Sequence, residues 1–98
     1  MATGVKESQK AFVTDVKGTQ QTGTINAGAT TWVTLPYTRP QGYTGIGLQQ
    51  LYVQGSNVVV YQWSVSRSSD IISVAIRNMG SSAVAYTVDA TVVCIKTS

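Results

Sequence analysis

IISVAIRNMGSSAVAYTVDATVVCIK, residues 71–96, decides the fold class. Ile72, Val74 and Ile76 alternate with Ser73, Ala75 and Arg77. After Asn78-Met79-Gly80-Ser81-Ser82, Val84, Tyr86, Val88, Ala90, Val92 and Cys94 alternate with Thr87, Asp89 and Thr91. A period of two places one set of side chains on a buried sheet face and the other on the opposite face. The Asn/Gly/Ser cluster between the two runs predicts a turn that closes them into a hairpin.

The same grammar extends upstream. Residues 58–66 (VVVYQWSVS) follow the turn Gly55-Ser56-Asn57, and the expected apolar face is Val59, Tyr61, Trp63 and Val65. Arg67 to Asp70 forms the next turn. Residues 45–54 predict a strand with Ile46, Leu48 and Tyr52 on one side, where Gly45 and Gly47 fit a bulge or a close backbone approach. In 30–37 (TTWVTLPY), Val33, Leu35 and Tyr37 share a face opposite Trp32 and Thr34, and Pro36 and Pro40 bracket a loop. Residues 23–26 read as a short edge strand. No stretch carries a helical period. The expectation is an all-β, antiparallel β-sandwich of about six to seven strands. Residues 1–18 read as an N-terminal tail or stalk segment, in which 11–16 (AFVTDV) have a strand's composition, and 19–98 as the sandwich binding domain.

Composition limits what such a domain does. Of 98 residues 43% are hydrophobic and only 11% charged, below half the usual charged share, so Ser, Thr, Gln, Asn and Gly keep the surface wet. A surface of that kind suits packing against copies of itself. Lys6, Lys10 and Lys17 lie near Glu7 and Asp15, while Arg39, Arg67, Arg77 and Lys96 are scattered, so no stripe for phosphates forms and nucleic acid is not an expected partner. The single Cys94 permits no internal disulfide and sits in an apolar strand run. The first eleven residues lack the apolar segment of a signal peptide, and no run is long enough for a membrane helix, so synthesis in a cytoplasm without membrane insertion is expected.

The sequence offers no apparatus for chemistry. The chain has no His, which removes the commonest general base and zinc ligand. Its four carboxylates are far apart, and no phosphate or calcium loop is present. A hairpin over 71–96 that pairs Ile76 with Val84 would set Asp70 near Asp89, although two solvated acids at a sheet end is the plainer reading. We therefore expect no enzyme activity, no metal and no cofactor.

Binding candidates are loop and off-core residues. Tyr37, Tyr61, Trp63 and Tyr86 share the parity of apolar neighbours and read as core. Tyr43 lies beside Arg39 in the loop RPQGY, offering either a stacking-plus-donor surface or a plug for the end of the sandwich. Arg67 and Asp70 flank Ser68-Ser69 and complete the ligand-binding set, unless they simply pair. Trp32 points away from Val33 and Leu35, as a cross-strand partner on a half-covered face or as a subunit contact. Arg77, off the core face, is a solvated charge or a second subunit contact.

The stretches INAGATTWVTLPYTRPQGYTGIGLQQLYV (25–53) and SVAIRNMGSSAVAYTVDATVVCIK (73–96) carry a resemblance. A strand ending Leu-Pro, an Arg-Pro-x-Gly-Tyr loop and an Arg-Asn-x-Gly-Ser-Ser-Ala segment before a long terminal strand resemble the C-terminal tip domains of tailed-phage tail-fibre and receptor-binding proteins. Their order is similar to that in H-type lectins, six-stranded antiparallel sandwiches that assemble as trimers. The resemblance implies a homotrimeric virion tip that recognises a host surface polysaccharide or receptor, and localisation on the phage tail. H-type lectins bind galactose-type sugars near subunit interfaces with loop aromatics and Arg, Asp or His. This chain has no His and its Arg and Asp positions do not align with such a site, so that specificity does not carry over. Such tips end much longer proteins, and the initial Met fits either a stand-alone subunit or a fragment. The rival expectation is a structural virion subunit, in tail assembly or capsid decoration, that binds only other virion proteins.

Overall fold

A computed structural model describes residues 11–97. Seven strands, β1 (Phe12–Lys17), β2 (Gln21–Ile25), β3 (Thr30–Pro36), β4 (Tyr43–Gln54), β5 (Val58–Val65), β6 (Ile71–Asn78) and β7 (Val84–Lys96), form two antiparallel sheets, with no helix among the described residues. This is a β-sandwich. In the larger sheet β7 is central: β4 runs along one side, while β1 and β2 follow one another along the other, against its C-terminal and N-terminal halves. In the smaller sheet β6 lies between β3 and β5. Because β1 is part of the sheet, the sandwich begins within the segment read from sequence as a tail; the rest of that segment, residues 1–10, lies outside the described residues.

The two central strands supply most of the core. Ile72, Val74 and Ile76 of β6 meet Val88, Val92 and Cys94 of β7, all fully buried, with Val33 and Leu35 of β3 beside them. Full burial of each Val, Leu or Ile contributes about 1.5–3 kcal/mol, so these positions dominate stability.

The structure corrects the sequence reading in four places. β6 and β7 are not a hairpin: residues 79–83 carry the chain from one sheet to the other. The corner is built on Asn78, which is completely buried. Its Nδ2 donates to Ile25 O (3.1 Å) and Ser82 O (2.8 Å), and its Oδ1 accepts from Gly80 N (2.8 Å). These bonds serve groups that a tight hairpin would have paired in its own ladder. Second, the hairpin that would set Asp70 beside Asp89 does not form: Asp70, on the loop before β6, pairs with Arg39, while Asp89, in β7, accepts from Gln20. Third, Tyr61 and Trp63 are not core: they are 63% and 45% exposed. Val60 pairs with Ile76 and Gln62 with Ala75, so Tyr61 is an extra, bulged residue that reverses the parity of the strand. Fourth, β4 is bulged twice, between Gly45 and Gly47 and between Leu48 and Gln50. Those insertions leave Leu48 packed on the core while Ile46 and Tyr52 are exposed.

Gly45 is required by close approach. A Cβ there would overlap the Tyr37 hydroxyl and lie 3.1 Å from Val65 Cγ1. Tyr37, buried, fills that space and donates from its hydroxyl to Ser66 O at 3.2 Å.

Candidate functional site

Four of the sequence-predicted residues gather at one end of the sandwich. Arg39, on the β3–β4 loop, reaches Asp70, on the β5–β6 loop, with Nε 3.3 Å from Oδ1. Arg39 Nη1 also donates to the Arg67 carbonyl in a long contact of 3.5 Å. The Asp70 backbone is fixed by Tyr37 N donating to its carbonyl at 3.0 Å, and its φ of 54° is one that Asp tolerates better than most residues. Asp70 Oδ1 itself is enclosed without an aligned hydrogen bond, so charge alone holds it to Arg39. With Pro40, Gln41, Gly42, Tyr43 and Thr97 the pair lines a depression of about 400 Å³. Tyr43 is only 3% exposed, so of its two readings the structure takes the plug, and its ring offers no stacking face. The Arg67 side chain is exposed.

Two buried groups near this end are shifted in the same direction. Burial pushes the Tyr37 phenol above its usual 10.0, with the negative charges of Cys94, when ionised, and Asp70 adding to it. Burial likewise raises the Cys94 thiol above 9.0, helped by Asp70 and opposed by Arg39. Both groups are neutral at physiological pH, which leaves Cys94 a poor nucleophile.

Trp32 and Arg77 share the outer face of the smaller sheet. Trp32 stands opposite Ala75, and Arg77 opposite Thr30 and Val59. Both are exposed, whereas Ala75, between Trp32 and Gln62 on the same face, is 1% exposed.

A second constellation lies on the outer face of the larger sheet, and sequence reasoning missed it. Tyr52 of β4 is directly opposite Asp89 of β7, and the neighbouring row is Lys17–Thr91–Gln50 across β1, β7 and β4. Directly opposed residues share a face, so these side chains converge. Gln20, in the β1–β2 junction, donates from Nε2 to both Asp89 oxygens, at 3.0 Å each. The junction is held there by Gly18, whose N donates to Ala90 O at 2.9 Å and whose missing side chain makes room for Ile72 Cδ1. Lys17, Gly18, Gln50, Tyr52, Asp89, Ala90 and Thr91 line a shallow cavity of about 280 Å³. Tyr52 is 52% exposed, with its ring free to take a contact.

Compared with protein-family models, curated proteins and solved structures, the chain matches none. Its chemistry must be read from this geometry. The shelf offers an aromatic plane, a carboxylate whose orientation is fixed by an amide, a second amide in Gln50 and a cation at the rim. Carboxylate oxygens accept from two vicinal hydroxyls, amides both donate and accept, and an aromatic plane receives the C–H face of a pyranose ring. No group of three or more Cys, Asp or Glu among the described residues forms a metal centre. Only the register could have revealed the shelf: Tyr52 and Asp89 are 37 positions apart, and the two bulges in β4 decide which side chain of that strand meets Asp89.

Proposed function

We propose that the chain is a non-catalytic recognition module, the host-reading tip of a phage tail fibre, and that it binds a neutral surface saccharide on the outer face of the larger sheet. The observation that carries the reading is the Tyr52–Asp89–Gln20 arrangement, in which an open aromatic ring stands beside a carboxylate oriented before any ligand arrives. Such preorganisation reduces the ordering cost of binding a small polar ligand. The resemblance of residues 25–53 and 73–96 to phage tip domains supports a virion setting and a homotrimer. The low charge density supports a surface that meets copies of itself.

Glycan-array screening followed by titration calorimetry tests the site. Loss of ring stacking removes about 0.5–1.5 kcal/mol, and loss of a charged hydrogen-bond acceptor about 1.5–3 kcal/mol. Tyr52→Ala should therefore weaken a positive glycan by roughly 2- to 13-fold, and Asp89→Ala by roughly 13- to 160-fold. An Arg39→Ala, Arg67→Ala double variant, at exposed positions of the loop end, should leave affinity unchanged. The opposite pattern would move the site to the loop end. Binding of virion proteins with no glycan detected at millimolar concentration would replace receptor recognition by the structural-subunit reading.

A further inference from the structure

The flank of the sandwich formed by β4 and β5 is unfinished. Val60 and Trp63 stand opposite Ile76 and Val74 on the core side of the smaller sheet, yet both are more than two-fifths exposed. Across the slot Leu48 and Leu51 are only half-buried. On the other face of β5, Val59 is exposed as well, and Tyr61 is lifted out by the bulge. Val58 and Val65 at the two ends of this strand pack on the core, but among the described residues its middle, from Val59 to Trp63, is exposed on both faces.

We propose that this flank is where copies of the chain join around a three-fold axis, each covering the open flank of the next. Charge singles out a second copy as the occupant. From Pro40 to Ser66, 27 consecutive residues spanning all of β4 and β5, no side chain is charged, and all 11 charged residues lie elsewhere. Identical chains of net charge +3 repel, so a surface that meets itself must keep its charges away from the contact. This flank does so, and it offers nothing to a partner selected by charge. Of the other edge strands, β1 carries Asp15 and Lys17, β3 carries Pro36, and β2 is only five residues long with Gln, Thr and Gly before its buried Ile25. The bulges in β4 and β5 break the ladder a foreign strand would extend, which makes the contact one of side chains rather than strand addition.

The area fits as well. Val59, Val60, Tyr61 and Trp63 expose on the order of 400 Å² of apolar surface, about half of the ~800 Å² each partner contributes to a standard interface. The uncharged Gln62 and Ser64 on either side of Trp63 and the half-buried leucines of β4 supply the remainder. Tyr52 lies on the outer face of β4, away from the slot, so the saccharide shelf stays open in the assembly.

This inference deepens the trimeric part of the proposed function by naming its contact. Light scattering on a sizing column, over a hundredfold range of protein concentration, tests it with Trp63→Glu, Tyr61→Glu and Trp32→Glu. Wild type should run as a multiple of 10.4 kDa, with Trp63→Glu and Tyr61→Glu reduced to monomer and Trp32→Glu unchanged. Circular dichroism confirms that each variant is folded. Independently, the Trp32→Phe chain retains Trp63 as its sole tryptophan, and its emission should shift to the red on dilution. A wild-type monomer at every concentration would overturn both this contact and the trimer. An oligomer that survives both β5 substitutions, or one split only by Trp32→Glu, would overturn the contact and leave the trimer standing. Unchanged Trp63 emission across a measured dissociation would also overturn it.

Discussion

Asn78 provides the sharpest test of how the two sheets are joined. Replacing it by Ala removes three side-chain hydrogen bonds from a site with no exposure. The bonds to Ser82 O and Gly80 N are only part-buried, so water can replace the lost partner, and each costs about 1 kcal/mol. The bond to Ile25 O is buried, and a stranded carbonyl there costs about 1–3 kcal/mol. The sum is roughly 3–5 kcal/mol, a large part of the 5–15 kcal/mol that holds a typical domain together. For a chain of this size that is a fall in Tm of about 12 °C or more. Asn78→Asp separates bonding from packing, because it keeps the shape but aims a carboxylate oxygen at two carbonyls. It should be at least as damaging at neutral pH. A buried, unpaired carboxyl has a folded pKa above its unfolded value of about 4, so its penalty grows as pH rises through that interval. On acidification the protonated group donates one bond, and the variant should recover relative to Asn78→Ala. Urea unfolding followed by tryptophan emission, at fixed protein concentration and at pH 4 and 7, measures both differences. A loss under 1 kcal/mol for Asn78→Ala, or Asn78→Asp equal to wild type at pH 7, would refute the claim that this amide builds the corner.

Two other outcomes follow from the packing between the loop end and the core. Gly45→Ala should destabilise by about 1–3 kcal/mol, because the new methyl displaces the Tyr37 hydroxyl from Ser66; Tyr37→Phe in the same chain should recover part of that loss, and simple additivity of the two changes in urea unfolding would contradict the clash. Stability should decline in alkali: Cys94 and Tyr37 both have folded pKa values above their ordinary 9.0 and 10.0, so the folded state holds its protons longer than the unfolded one. That contribution is complete below about pH 9 and lost as pH rises through the raised values. Tyr37→Phe should flatten the fall above pH 10, and an identical slope in the variant would exclude Tyr37 as a source.

The parity of single strands was legible because burial on one face imposes it. Val33 and Leu35, Ile72, Val74 and Ile76, and the run from Val88 to Cys94 all lie on the core side that alternation assigns them. Alternation says nothing of which strand lies beside which, however. Residues 78–82 have the composition of a hairpin turn, yet they cross between sheets, because the polar groups of that corner are satisfied by one buried amide from Asn78. Nor can a period of two register an inserted residue. The bulge at Tyr61 turned an expected core aromatic into the most exposed ring of the chain, and the one between Leu48 and Gln50 carried Tyr52 from the face of Leu48 to that of Asp89. Arg39 and Asp70, by contrast, could be singled out from their loop positions, although their pairing depends on which sheet ends coincide. Both candidate surfaces lie where the alternation breaks. The bulge between Leu48 and Gln50 sets Tyr52 on the face opposite Leu48, and the bulge at Tyr61 sets Val59 and Trp63 on opposite faces of β5. These two inserted residues bring an aromatic ring beside Asp89 on one face and an uncharged aromatic strand to the open flank, giving one small sandwich separate surfaces for a ligand and for its own copies.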